Sequence, residues 1–96
     1  MKYNIPERLV REIREIAQKN GIDKVILFGS RARGTNTERS DIDIAVSGGN
    51  HLNFCSDVEE YTHTLLMFDI VDLDGSISPD LQSEIERDGI TLYEKA

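Results

Sequence analysis

Two aspartates separated by a single residue, Asp41 and Asp43, are the residues of this sequence with the clearest potential for chemistry. In a β-strand, residues i and i+2 point to the same face, so an extended backbone would place both carboxylates side by side in a cleft. Neighbouring carboxylates repel each other and favour a cation between them. Magnesium is commonly held by one or two carboxylates together with substrate phosphates, so the pair indicates a magnesium site.

A turn that carries phosphate-binding groups precedes this pair, and ten residues separate Ser30 from Asp41. Gly29 follows an apolar run and lets the backbone approach a ligand closely. Ser30 offers a hydroxyl and an N–H at a predicted helix start, where phosphate binds well. Arg31 and Arg33 are candidates for charge-assisted bonds to phosphate oxygens. An isolated Asp-x-Asp pair is more simply explained as surface residues at a strand end, but this upstream turn favours a nucleotide site.

The elements that position these residues are predicted from apolar periodicity and from turn residues. Their predicted order is a helix over residues 6–20, a strand over 23–28, a short helix within 29–33, a strand over 41–47, a helix over 53–66, a strand over 67–73, a helix over 79–88 and a short strand over 90–93. Because the first strand is almost wholly apolar, it is expected at the centre of the sheet. The order predicts an α/β (α+β) fold, a mixed sheet with helices mainly on one face and the aspartates on the other.

Helical spacing of apolar residues and capping residues support the predicted helices. Asn4 is a candidate cap for the first helix. In the second long helix, Phe54, Val58, Tyr61 and Leu65 recur at i, i+4, i+7 and i+11, which predicts one buried stripe.

The third predicted strand carries two further carboxylates, Asp69 and Asp72, between apolar residues. A carboxylate inside an apolar strand costs free energy unless it is paired or bound to a metal, so one of the two is expected to be functional. Asp72 shares its face with Phe68 and Ile70, the larger side chains that a helix layer would cover. This alternation favours Asp69 on the cleft side and leaves Asp72 as the second choice.

The combination of GSRARG with SDIDIAV resembles the signature of the polymerase-beta-type nucleotidyltransferases. It is most similar to their minimal single-domain members, which are often encoded as antitoxins beside a helical HEPN partner. The resemblance covers most of the chain, from about residue 22 to residue 93, and implies the nucleotidyltransferase fold. The family has a third carboxylate in an apolar-Asp-apolar strand, a setting that the segment around Asp69 matches best.

The resemblance also implies the chemistry at the carboxylates. Asp41 and Asp43 would hold two magnesium ions, with Asp69 on one of them and placed to take the proton of an attacking hydroxyl. The reaction would transfer a nucleoside monophosphate and release pyrophosphate. The implied donor is ATP, and the implied acceptor is a tyrosine of a HEPN ribonuclease toxin, as in a type VII-like antitoxin.

The same resemblance assigns the phosphate contacts. Gly29 and Ser30 would hold the β- or γ-phosphate through a backbone N–H and the hydroxyl, and Arg31 or Arg33 would help to neutralise it. A P-loop is excluded as the explanation of these glycines, because that motif requires lysine where this chain has Thr35.

Two other functions stay open at this point. The chain could be a binding module that docks to a helical partner and blocks it with little or no catalysis, although the motif carboxylates argue against an inactive enzyme. It could also transfer nucleotides to a small molecule, although the absence of a second domain counts against that function. A partner or a homodimer would have to supply the helical surface that completes the substrate site in larger family members.

Composition predicts a globular protein with one domain over residues 1–96, since 39% of the residues are hydrophobic and 30% are charged. The apolar runs are too short to cross a bilayer, and the N-terminus lacks the apolar stretch of a secretory signal. With one cysteine and no internal disulfide, a cytoplasmic location is expected. The net charge of −7 disfavours direct nucleic-acid binding, which requires many cations, and fits a partner with a basic surface.

Overall fold

The computed structural model describes residues 4–96. Its elements are α1 (Glu7–Lys19), β1 (Lys24–Phe28), α2 (Ser30–Arg33), β2 (Ile42–Ser47), α3 (His51–Tyr61), β3 (Phe68–Asp72), α4 (Pro79–Asp88) and β4 (Ile90–Glu94). None of the helices in this part of the chain has the length and apolar character needed to span a membrane.

The four strands form one mixed sheet in the order β3-β2-β1-β4. The apolar strand β1 pairs antiparallel with both β2 and β4, so it occupies the central position predicted for it. The connection through α3 returns the chain in the same direction, and β3 therefore pairs parallel with β2 at the edge of the sheet. The mixed α/β architecture predicted from the sequence is confirmed.

One face of the sheet is buried beneath α1 and α3. Alternate residues of the strands and the apolar stripes of both helices form its core, which includes Leu9, Val10, Ile13, Val25, Leu27, Ile42, Ile44, Val46, Phe54 and Val58. Since strand side chains alternate between faces, Asp43 lies between two core positions of β2 and must point to the opposite face.

The opposite face carries a smaller apolar cluster under α4. Ile85 of α4 packs there with Phe28 and Ala45, and Ile26 and Val71 lie at the margin of this cluster. The helices thus lie mainly on one face, as predicted, but α4 narrows the open area of the other face. What stays open is the end of that face where β1 stops and β2 and β3 begin.

The boundaries of the second long helix differ from the prediction. The side chain of Asn50 accepts a bond from the Asn53 N–H at 3.1 Å, so α3 begins earlier than expected. It also ends earlier, because Thr62 is extended and its hydroxyl donates to the carbonyl of Val58 at 2.6 Å. The predicted stripe therefore stops at Val58, Tyr61 is half-exposed and Leu65 is fully exposed.

The predicted cap of α1 is also wrong, whereas the predicted start of α4 is confirmed. Pro6 occupies the N-cap position of α1 without a side-chain bond, and the Asn4 amide donates to Asn36 at 3.2 Å instead. At α4, the Ser78 hydroxyl accepts from the Leu81 N–H at 3.2 Å.

Candidate active site

The turn between β1 and α2 lies directly against one of the motif aspartates. Gly29 has a φ of 74°, in a region of backbone conformation that other residues rarely adopt. Phe28, the preceding residue, pairs with Asp43 across the antiparallel strands. A Cβ atom at Gly29 would overlap the Oδ2 atom of Asp43. Glycine is therefore required at this position by backbone conformation and by space, and it brings the two halves of the motif into contact.

Asp69 lies next to Asp43 on the neighbouring strand. The parallel register pairs these two residues directly, and both alternate away from the helix-covered face. Asp43 is half-buried, whereas Asp69 and Asp41 are exposed, with Asp41 immediately before the first residue of β2. The structure thus places Asp43 and Asp69 side by side on one face, with Asp41 close enough for its charge to act on Asp43.

The negative charges of the neighbouring acids act on Asp43. The pKa of Asp43 is raised above its ordinary value, first because burial disfavours its charged form and then because of the negative charges of Asp69, Asp41 and Glu84. The Arg33 guanidinium opposes this increase and lowers the pKa. A cation bound between the carboxylates would relieve the same repulsion.

The donor set fits the carboxylate part of a magnesium site. Asp43 and Asp69 provide oxygen ligands from paired positions of neighbouring strands, and oxygen is the ligand atom that magnesium prefers. Within residues 4–96, no three His, Cys, Asp or Glu side chains are already gathered closely enough to hold a metal ion. The fit therefore rests on the two adjacent carboxylates, with Asp41 nearby and exposed immediately before β2.

Asp72, the second choice for the third carboxylate, is not brought to this site. It alternates onto the face covered by α3, and its Oδ1 atom accepts from the Asp74 N–H at 2.9 Å in the turn after β3. Its charge acts on α3 instead: the pKa of Cys55 is raised by burial first, then by Glu59 and by Asp72.

Arg33 lies at the site, where it is paired with two acidic residues that the motifs of the sequence do not reveal. Its Nη1 atom lies 3.3 Å from the Asp88 carboxylate and 3.7 Å from that of Glu84, both on α4. These two residues are four apart and lie on the same side of the helix. That spacing is the only sequence signal for the pair, and it does not reveal which distant arginine they contact.

Arg31 takes a different position from the predicted one. Its side chain is buried, and all three of its nitrogen atoms donate to backbone carbonyls of the segments around it. The expected contact with phosphate is therefore not supported, because the guanidinium is already satisfied within the protein.

Residues 11–96 match the family described as Polymerase beta, Nucleotidyltransferase. A 50-residue stretch is 46% identical to a candidate protein adenylyltransferase of Methanocaldococcus jannaschii. That match covers 52% of this chain and 48% of the relative, so the matched part spans about half the length of that protein.

Solved structures show the same fold. The structure of a toxin–antitoxin with AMP-PNP is 26% identical, has a TM-score of 0.72, and matches 90% of this chain and 73% of the other. A MntA–HepT toxin–antitoxin structure is 21% identical over 94% of this chain and 74% of the other, with a TM-score of 0.66, and this likeness shows the fold alone. The family match includes the Gly-Ser turn and all three carboxylates of the site. The chain therefore belongs to the polymerase beta nucleotidyltransferase family, as its motifs predicted.

Proposed function

We propose that this chain is a magnesium-dependent adenylyltransferase that moves AMP from ATP to a protein hydroxyl. The observation that carries the proposal is the contact between the Gly29 turn and Asp43, with Asp69 paired beside it. This arrangement supports the proposal, because a phosphate-binding turn and a metal-binding carboxylate pair would then lie within reach of one triphosphate.

Each of the three carboxylates has a proposed role in the transfer reaction. Asp41 and Asp43 would hold magnesium, with Asp69 contributing from the edge strand. Bound magnesium would supply positive charge to the triphosphate and lower the pKa of the acceptor hydroxyl. Asp69, which is exposed, would accept the proton from that hydroxyl. The acceptor oxygen forms a bond to the α-phosphorus as the bond to the pyrophosphate oxygen breaks, so AMP is transferred and pyrophosphate leaves.

Phosphate binding is proposed for Gly29, Ser30 and Arg33. Gly29 lets the backbone approach the triphosphate, and Ser30 adds a hydroxyl that is partly exposed at the start of α2. Arg33 already lies close enough to Asp43 to lower its pKa. Its positive charge would neutralise part of the negative charge of the triphosphate. It would then lose part of its ion pairing with Glu84 and Asp88 on α4.

The donor and the acceptor are proposed from the relatives. AMP-PNP, present in the most similar of the solved structures described above, is an analogue of ATP. The archaeal relative is named as a candidate protein adenylyltransferase. The proposed acceptor is a tyrosine of a HEPN-type ribonuclease toxin, so that adenylylation silences the toxin. A hetero-oligomer with this partner, or a homodimer, would complete the substrate site.

Docking without catalysis is the second candidate function, and an exposed apolar surface favours it. Leu65 is fully exposed and Met67 is 69% exposed, on the loop that leads into β3. The Met67 carbonyl accepts from the Ile42 N–H at 2.9 Å, so this surface adjoins the aspartate end of the sheet. Contact with a protein partner would bury it, whether the partner is an acceptor or is only blocked.

A labelling experiment separates the two candidates. The protein is incubated with magnesium, ATP labelled at the α-phosphate and the proposed HEPN-type partner, and transfer of label is measured. The Asp41→Asn/Asp43→Asn double variant is the negative control. Asp72→Asn is the matched control, because it removes a carboxylate of the neighbouring strand β3 that points to the other face of the sheet.

The pattern of labelling and partner binding decides between adenylyl transfer and docking. Label that reaches the partner with the parent protein and with Asp72→Asn, but not with the double variant, would support adenylyl transfer. Stable binding of the partner without any label would favour docking. Equal labelling by the double variant, with its fold verified by circular dichroism, would refute the proposed mechanism.

A further inference from the structure

A buried arginine lies between the two halves of the motif. Arg31 is only 4% exposed, although it belongs to the short helix α2. Arginine is seldom buried unless its charge is paired. No carboxylate forms an ion pair with it among the residues that the structure describes. Its burial therefore serves a purpose other than ion pairing.

Backbone carbonyl oxygens satisfy the Arg31 guanidinium instead. The Nε atom donates to one carbonyl, Nη1 to a second and Nη2 to two more. The acceptors and distances are Ser40 at 3.0 Å, Asn4 at 2.8 Å, Glu38 at 3.1 Å and Thr37 at 3.4 Å. Three of these four acceptors belong to the loop 34–41, which joins α2 to β2. The planar guanidinium, with its five N–H donors, suits such a divergent set of acceptors.

The bond to Ser40 bears directly on the active site. The carbonyl of Ser40 belongs to the peptide group that joins it to Asp41, so Arg31 fixes the orientation of the peptide that precedes the first motif aspartate. Around it, Thr37, Glu38 and Arg39 are exposed. The loop's own bond from the Thr37 N–H to the Ser40 hydroxyl, at 2.9 Å, closes it only locally.

Arg31 also belongs to the phosphate-binding turn itself. It follows Ser30 directly, and the Ala32 and Arg33 N–H groups bond the Gly29 carbonyl at 3.1 Å. One residue thus joins the turn at the end of β1 to the peptide at the start of β2.

We propose that Arg31 is a positioning residue, which fixes Asp41 relative to the Gly29–Ser30 turn so that both act on the same triphosphate. This inference rests on the proposed function. Misplacing a reacting group by about 1 Å can reduce a rate by about a hundredfold. A loosened loop should therefore reduce kcat more than it weakens ATP binding.

Two substitutions distinguish positioning from direct phosphate binding. Arg31→Lys keeps the charge, but a compact ammonium group cannot reach four diverging carbonyls. Arg31→Met removes the charge and keeps much of the side-chain length. A positioning role predicts that lysine does not rescue, so both variants lose about tenfold or more in kcat while the KM for ATP changes by less than about threefold. A lysine variant with nearly full kcat, beside a methionine variant with a strongly raised KM, would overturn the proposal.

Arg14→Lys is the matched control. Arg14 also donates to a backbone carbonyl, that of Leu92 at 2.7 Å, but it lies on α1 and contacts β4, away from the motif loop. Its substitution removes a comparable bond, and kcat is expected to stay within about twofold of the parent value. An equal loss of kcat in the control and in Arg31→Lys would show a general effect on folding and overturn the positioning role.

Hydrogen exchange tests the loop without reference to activity. The Thr37 amide donates to the Ser40 hydroxyl, and the Ser40 amide donates to the Thr37 carbonyl. In the absence of nucleotide and magnesium, these two amides should exchange about tenfold faster in Arg31→Lys, and the amides of β2 should be unaffected. Unchanged exchange of these loop amides would refute the proposal. A parent protein that transfers no label would refute the proposed function instead, because the exchange experiment does not depend on it.

A milder variant covers the case in which the Arg31 variants do not fold. Ser40→Ala removes the hydroxyl that accepts from Thr37 while leaving the carbonyl that Arg31 contacts. Its loop amides should exchange faster and its kcat should fall with little change in KM, in the same direction as for Arg31 but by less. Faster exchange with a wholly unchanged kcat would show that loop order does not matter for transfer, which contradicts the proposal.

Discussion

Replacement of Gly29 by alanine tests whether the Gly-Ser turn and Asp43 are in direct contact. The φ of 74° is strained for any residue with a Cβ atom, at a cost of roughly 1–3 kcal/mol. The added Cβ would also overlap Asp43 Oδ2 and would lie 3.1 Å from its Cγ and 3.3 Å from its Cβ. Rotation of the carboxylate relieves only the first of these contacts, so overpacking adds roughly 1–3 kcal/mol.

The two costs can be separated with a second glycine. Gly34 has a φ of 80°, but a Cβ atom there would meet nothing within 4 Å. Gly34→Ala should therefore reduce the free energy of unfolding by the backbone cost alone, about 1–2 kcal/mol. Gly29→Ala should cost about 2–6 kcal/mol, the sum of its two contributions.

Denaturant unfolding followed by circular dichroism measures these differences. In an Asp43→Ala background, the overlapping carboxylate is gone, and the cost of Gly29→Ala should fall by about 1–3 kcal/mol. The cost of Gly34→Ala should not change in that background. Equal costs for the two glycines, or no coupling between Gly29 and Asp43, would refute the contact that joins the two halves of the motif.

Three further predictions concern the carboxylates. Because the folded protein raises the pKa of Asp43, this residue contributes stability while it is protonated and loses that contribution as pH rises through its folded pKa. Asp43→Asn should thus be more stable than the parent at pH 7 in thermal unfolding, and this difference should close as pH falls through the raised pKa of Asp43. Asp69→Asn should reduce labelling of the acceptor by about a hundredfold or more. Labelling by Asp72→Asn should stay within about twofold of that by the parent. Similar losses in both variants would show that the assignment of Asp69 and Asp72 to opposite faces of the sheet is wrong. Magnesium should raise the Tm of the parent protein more than that of Asp43→Asn, and an equal rise would exclude Asp43 as a ligand.

The positions of the aspartates could be predicted because strand periodicity is a local property. A period of two decides that Asp43 points away from Ile42 and Ile44, and the same rule distinguishes Asp69 from Asp72. Neither decision depends on how distant segments pack. The same holds for the start of α4, where Ser78 and the following proline act within one turn.

The two arginines could not be assigned in the same way. Arg31 and Arg33 are two residues apart on a helix of a single turn, so their side chains point in different directions, and the sequence does not show which one faces the cleft. Arg31 is buried by the loop 34–41 and by the segment around Asn4, and Arg33 is drawn outward by α4. The end of α3 was unpredictable for a similar reason, because contacts with α1 fix the loop that follows it.

The face of the sheet that carries Asp43 and Asp69 holds a carboxylate, that of Asp43, at a position where its charged form is disfavoured. Burial and the charges of three nearby acids oppose ionisation of Asp43, and only Arg33 among the influences on its pKa favours it. The folded protein therefore carries an electrostatic cost at this point, and α4 increases it through Glu84 while also holding Arg33 in place. A bound cation would offset that cost, because it would favour the charged form of Asp43. A metal site would benefit from this arrangement, because Asp43 and Asp69 are held side by side by the register of their strands. On a surface that was merely acidic, such side chains would separate.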